Sequence, residues 1–111
     1  MAPCIVVCHF QLPVPTEAQF IEIAKRSAPM FRQLGERGLV SKDYVRGEGG
    51  AGGVYVWESR AAAEAWFTEA KLEEYTKIFG ARPTLPWYDA HLTVDNKAGQ
   101  VRINGQPEAG S

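Results

Sequence analysis

The sequence predicts an α+β domain whose elements run βαββαβ around one antiparallel sheet. Three observations carry this reading. An unbroken apolar run, Cys4-Ile5-Val6-Val7-Cys8-His9-Phe10, is bounded by Pro3 and by the Leu12-Pro13-Val14-Pro15 breaker. A helix-spaced apolar row follows Thr16, and the strongly strand-like Val54-Tyr55-Val56-Trp57 follows a weaker strand across a glycine-rich connector. This order is the split-βαβ, or ferredoxin-like, arrangement.

Each element has a local cause. The length and β-branched content of the first run favour a strand buried on both faces. Thr16-Glu17-Ala18-Gln19 matches a capping box, and Phe20, Ala24, Ser27, Phe31 and Leu34 recur along one helical face until Gly35 and Gly38 end it. Pro29 removes one backbone hydrogen bond inside this helix and predicts a kink near Ala28. Residues 39–46 read as the second strand, and Gly47 to Gly53 as the connector of a hairpin. Ser59 caps a second helix over 60–70, with a further helical segment over 72–79. Residues 87–95 alternate as a fourth strand, with Tyr88, Ala90, Leu92 and Val94 on one face and Trp87, Asp89, His91 and Thr93 on the other. A turn at 95–99 and a short edge strand at 100–104 complete a single domain over 1–104, and 105–111 reads as a flexible tail.

Composition narrows the function. Twelve Lys and Arg against 13 Asp and Glu give a net charge of −1, which lacks the basic footprint of a nucleic-acid binder or an anionic-membrane binder. No apolar run approaches the ~20 residues of a membrane span. The start, Met1-Ala2-Pro3-Cys4, lacks the basic region of a signal peptide, so a cytoplasmic location is expected. Within one strand, Cys4 and Cys8 would stand about 13 Å apart, too far for a disulfide. No ligand spacing for a metal is present, so neither metal nor cofactor is expected. Gly47-x-Gly49-x-x-Gly52 matches a dinucleotide-binding string, but a strand follows it where a helix is required.

Two helices on one side of a four-stranded sheet leave its other face bare, yet both faces of the first strand are apolar. A second copy of the chain is the simplest cover, so a homodimer is expected. His9 and His91 both fall on predicted strands, where histidine more often serves structure than chemistry. The expected adjacency of strands one, three and four nonetheless lets His9, His91, Trp57, Tyr55 and Trp87 approach one another. Lys42 shares a strand face with Tyr44; such a lysine is either a surface charge or, in a dry cleft, a donor to an anionic oxygen. The chain carries more aromatic residues than core filling demands. Tyr44, Tyr55, Trp57, Trp66 and Trp87, with His91, are candidates to line a pocket for a flat aromatic ligand.

His9-Phe10, Pro29, Gly38-Leu39-Val40-Ser41-Lys42 and above all Gly52-Gly53-Val54-Tyr55-Val56-Trp57 before Ala63-Glu64-Ala65-Trp66 resemble the YdhR-like monooxygenases of the dimeric α+β barrel superfamily, over about residues 4–96. The resemblance implies two ferredoxin-like subunits packed sheet to sheet, each with a pocket between sheet and helices. It also implies oxidation of electron-rich phenolic or polyketide-like compounds by O₂ without metal or flavin. On that reading His9 is the general base, Lys42 stabilises the phenolate, and Tyr55 and Trp57 shape a dry pocket. The alternatives are a cyclase or isomerase using the same groups without oxygen, and a non-catalytic small-ligand-binding dimer.

Overall fold

Pro3 and the Leu12-Pro13 break bound the first strand as expected, giving β1 (Cys4–Phe10) at the centre of a four-stranded sheet. The computed structural model of the chain describes residues 1–109. β2 (Leu39–Gly47) and β3 (Gly50–Trp57) form a hairpin, β4 (Trp87–Asp89) takes the far edge, and the order is β2-β3-β1-β4 with every pairing antiparallel. The predicted adjacency of strand one with strands three and four is therefore present.

Thr16 closes the predicted capping box at the start of α1 (Glu17–Gln33): its Oγ1 accepts from the Gln19 amide at 3.2 Å, while Gln19 Oε1 accepts from the Thr16 amide at 3.0 Å. The helix runs on through Pro29 and ends in a 3-10 turn over Leu34–Arg37, with Gly38 in the left-handed region at φ 99°. The second helical stretch is two helices, α2 (Arg60–Trp66), capped by Ser59, and α3 (Glu69–Phe79), capped by Thr68. Thr68 supplies a fresh N-cap only two residues after Trp66, so the chain turns there instead of continuing as one helix.

Alternation along β1 divides the sheet into two faces. Cys4, Val6, Cys8 and Phe10 point to the helices and are buried with Tyr55 and Trp57 of β3, Phe31 of α1, and Ala63 and Phe67 around α2. Ile5, Val7 and His9 point to the other face, beside Val54 and Val56, and no helix covers them. The core is bound largely by edge-to-face rings, with Phe67 seated at 4.9 Å from Tyr55 and 6.0 Å from Trp57.

The connector, the fourth strand and the tail differ from the sequence expectation. The glycine-rich connector is mostly strand: Gly47 pairs with Gly50, so only Glu48 and Gly49 turn the hairpin, and Gly50 to Gly53 lie in β3. A Cβ at Gly52 would strike the Cys8 carbonyl oxygen, so the two backbones meet where only glycine fits. The predicted strand over 87–95 is broken. Ala90 donates to the Pro3 carbonyl at 2.8 Å, but Pro3 has no N–H to return, and the ladder ends. The chain then builds a separate sheet of β5 (Leu92–Asp95), β6 (Gln100–Ile103) and β7 (Gln106–Pro107), in that order.

The expected tail accordingly begins as structure. Asn104 (φ 49°) and Gly105 (φ 82°) form a two-residue turn that pairs Ile103 with Gln106. Residues 110–111, the end of the expected tail, lie outside the described residues.

Candidate active site at Lys42

β2 delivers Lys42 to the helix-covered face through an irregularity in its ladder. Leu39 pairs with Trp57 and Ser41 with Val56, so Val40 is an extra residue on β2. Leu39 and Lys42 are an odd number of positions apart and would face opposite sides of a regular strand. The inserted Val40 lets Leu39 enter the core while Lys42, paired with Tyr55, turns inward as well. Opposite its stem, Gly53 leaves the room it needs; a Cβ there would stand 2.8 Å from Lys42 Cε.

Three rings surround the amine. Lys42 Nζ lies 3.4 Å from the centroid of Phe31, 4.0 Å from that of Tyr44 and 4.7 Å from that of Tyr55. The rings also hold one another, Phe31 meeting Tyr44 at 6.1 Å and Tyr55 at 5.8 Å, both edge to face. Ser27 Oγ and Tyr44 Oη share a 2.6 Å hydrogen bond that ties this cage to α1. Among the described residues, Lys42 has no ion-pair partner.

Burial without a counter-charge disfavours the ammonium and lowers the Lys42 pKa from 10.5 to about 7, while the proximity of the Cys8 thiol acts weakly the other way. A descent of that size corresponds to roughly 5 kcal/mol. The three ring faces favour the cation and act against that descent. Burial thus moves the titration of this amine from 10.5 toward neutrality. Around it, burial pushes the Cys8 thiol up to about 11 and the Tyr55 phenol upward too, so both neighbours are uncharged.

The cage opens into a cleft of about 330 Å³ at the seam between α1 and β2, lined among others by Phe31, Arg32, Ser41, Lys42 and Tyr44. A larger hollow of about 460 Å³ continues along the same seam past Tyr44, but Lys42 does not line it. Lys42 therefore belongs to the smaller cleft. Arg32 is exposed at its edge, no acidic side chain among the described residues lines it, and an anionic ligand is favoured there.

The candidate residues separate into groups. Lys42, Tyr44 and Tyr55 come together. Trp66 stands behind the cage, 5.8 Å from Phe31, with its Nε1 donating to Tyr75 Oη at 3.2 Å. Trp57 stacks at 6.2 Å on the far side of Tyr55 and is 1% exposed; its Nε1 is buried without a partner. Trp87 is further still, beyond Phe67 and under Arg60.

Neither histidine joins the group. His9 pairs with Gly52 and Val45 lies beyond it, all on the sheet face away from the helices. Its backbone bridges Thr84 in both directions. Strand parity settles this, since Cys8 already points to the helices. His91 falls in the break between β4 and β5, where its Nδ1 lies 3.0 Å from Asn104 Oδ1. The expected convergence of His9, His91, Trp57 and Trp87 is thus not present.

Phe31 and Arg32 were not among the expected site residues. Phe31 carried a signal in its place on the apolar face of α1; Arg32 carried none. Among the described residues, no group of three or more His, Cys, Asp or Glu stands close enough to hold a metal ion. No helix among them is long and apolar enough to cross a membrane. The chain matches no protein-family model, and no curated protein matches it in sequence.

Proposed function

We propose that the chain is a cofactor-independent, monooxygenase-like enzyme acting on a small phenolic or polyketide-like compound, with Lys42 as both base and oxyanion donor. The caged amine at the cleft carries this reading: an unpaired Lys42 that is part neutral near pH 7 can take a phenol proton. The ammonium so formed then pairs with the phenolate it has made, in a cleft that no carboxylate of the described residues lines. The electron-rich ring passes an electron to O₂, the radical pair joins at a ring carbon bearing hydrogen, and loss of water leaves a quinone. One oxygen atom of O₂ ends in the product and the other in water. Tyr44, half-buried where it lines the cleft, offers ring surface to a flat ligand.

The strand order β2-β3-β1-β4 with helices on one face supports a ferredoxin-like assignment. The uncovered face, with Ile5, Val7, Val54 and Val56 in paired register, supports a homodimer packed sheet to sheet as in a dimeric α+β barrel.

Oxygen uptake with a panel of polycyclic phenols tests the function. The expected result is uptake matched to quinone absorbance and abolished in Lys42→Met. Ring closure or isomerisation without uptake would replace the oxidation by cyclase or isomerase chemistry at the same lysine. Binding without turnover would leave a ligand-binding protein.

A further inference from the structure

The cage does more than hold a base. An amine with no counter-charge among the described residues, seated among rings at a cleft edged by an arginine, has the surroundings of a nucleophilic lysine. Phe31, Tyr44 and Tyr55 hold Nζ in place, and Gly53 keeps its stem from being crowded. The cleft gives a ligand access from the α1–β2 seam, and Arg32 supplies the only other charge among the residues that line it.

We infer that Lys42 is a covalent capture site for small aldehydes or ketones bearing a carboxylate, forming an imine while the carboxylate faces Arg32. The nitrogen lone pair adds to the carbonyl carbon and the carbonyl oxygen takes up a proton, giving a carbinolamine. Water then leaves and the C=N bond forms. No oxidant or reductant is needed. This activity uses the amine of the proposed function but not its oxygen chemistry, so either can fail without the other.

The groups facing the amine support the step. Cys8 of β1 has its thiol pushed up to about 11, and Tyr55 of β3 has its phenol pushed up as well, so neither competes as an anion at neutral pH. Tyr44 of β2 is engaged by Ser27 of α1. Lys42 itself is lowered to about 7, whereas an ordinary lysine at that pH carries on the order of 10³-fold less free amine.

The test is reductive trapping of the full chain with 4-formylbenzoate and cyanoborohydride at pH 7, followed by peptide mapping. Hydride adds to the imine and leaves a stable secondary amine. Apart from the α-amine, which also reacts at this pH, the expected result is a single adduct, on Lys42, formed at least tenfold faster than on Lys25, Lys71, Lys77 or Lys97. Benzaldehyde, which lacks the carboxylate, should react several-fold more slowly at Lys42, and Arg32→Gln should erase that preference. Labelling that follows exposure, with Lys42 among the slowest lysines, would overturn the inference. Equal rates with the two aldehydes would overturn the role of Arg32. Because the ranking of the lysines and the comparison of the two aldehydes are made on the unaltered chain, the inference stands or falls without a variant, and oxygen uptake with phenols remains a separate readout.

Discussion

Lys42 Nζ stands 3.4 Å from the centre of the Phe31 ring, and the two residues reach each other only because β2 carries one extra residue at Val40. A positive group on a strand has thereby been placed under a helix with aromatic faces as its neighbours. That placement has consequences for stability, for assembly and for chemistry.

The first concerns stability against pH. The Lys42 pKa falls on folding, so between about 7 and 10.5 the unfolded chain binds more protons than the native one, and stability rises with pH across that window. Cys8 acts in the opposite sense: its pKa rises on folding from 9.0 to about 11, so its contribution is complete below 9 and fades toward 11. Thermal melts should show Tm climbing by several degrees from pH 6.5 to 9 and then levelling. Lys42→Met should melt higher than the parent at pH 6.5 and lose the climb. A Met variant with the parent's pH dependence would put the titrating group elsewhere.

Two neighbouring glycines should behave differently. In Gly53→Ala the new Cβ meets Lys42 Cε at 2.8 Å and Tyr55 Cε1 at 3.0 Å, and the lysine stem is free to give way. The expected loss is about 1–3 kcal/mol with the fold retained, and the displaced amine should lose turnover. In Gly52→Ala the Cβ meets the backbone carbonyl of Cys8, which cannot move without breaking the β1–β3 ladder. Soluble yield should collapse there. Urea melts of both variants make the comparison, and equal tolerance would contradict it.

Assembly should follow the uncovered sheet face. The purified chain should run at twice its 12.2 kDa mass, and Val54→Lys, opposite Val7 in the register, should shift it to monomer with secondary structure intact. Light scattering after size exclusion reads both. A parent that is monomeric at micromolar concentration would remove the sheet-to-sheet dimer.

His9→Gln should leave turnover within about twofold of the parent, because His9 lies on the other side of the sheet from Lys42. Steady-state kinetics on the phenol that gives the best oxygen uptake measures this. A drop as large as that of Lys42→Met would return His9 to the chemistry.

Much of the frame was legible in the residues. Thr16 and Gln19 announced the start of α1, and the parity of β1 separated Cys8 from His9 on the page. Parity could not say which set faced the helices, because Ile5 and Val7 are as apolar as Val6 and Cys8. His9 entered the candidate site through strand adjacency, which is blind to face. Lys42 and Tyr44 were legible as one face of a strand, but the Phe31 ring over the amine depends on how α1 packs, which no local pattern records. The break after Asp89 follows from Pro3 at the start of a strand distant in sequence. Asn104-Gly105 is a hairpin dipeptide, a signal that the reading of 105–111 as a tail left unused.

The central claim is that Lys42 is a largely desolvated amine poised near neutrality, and its titration tests this most directly. With ¹³C-labelled lysine, the Cε resonance assigned to Lys42 by its absence in Lys42→Met should shift with a midpoint near pH 7, while the other lysines titrate near 10.5. A Lys42 midpoint near 10.5 would mean that the three rings and solvent hold the ammonium as stably as water does, and would contradict the account.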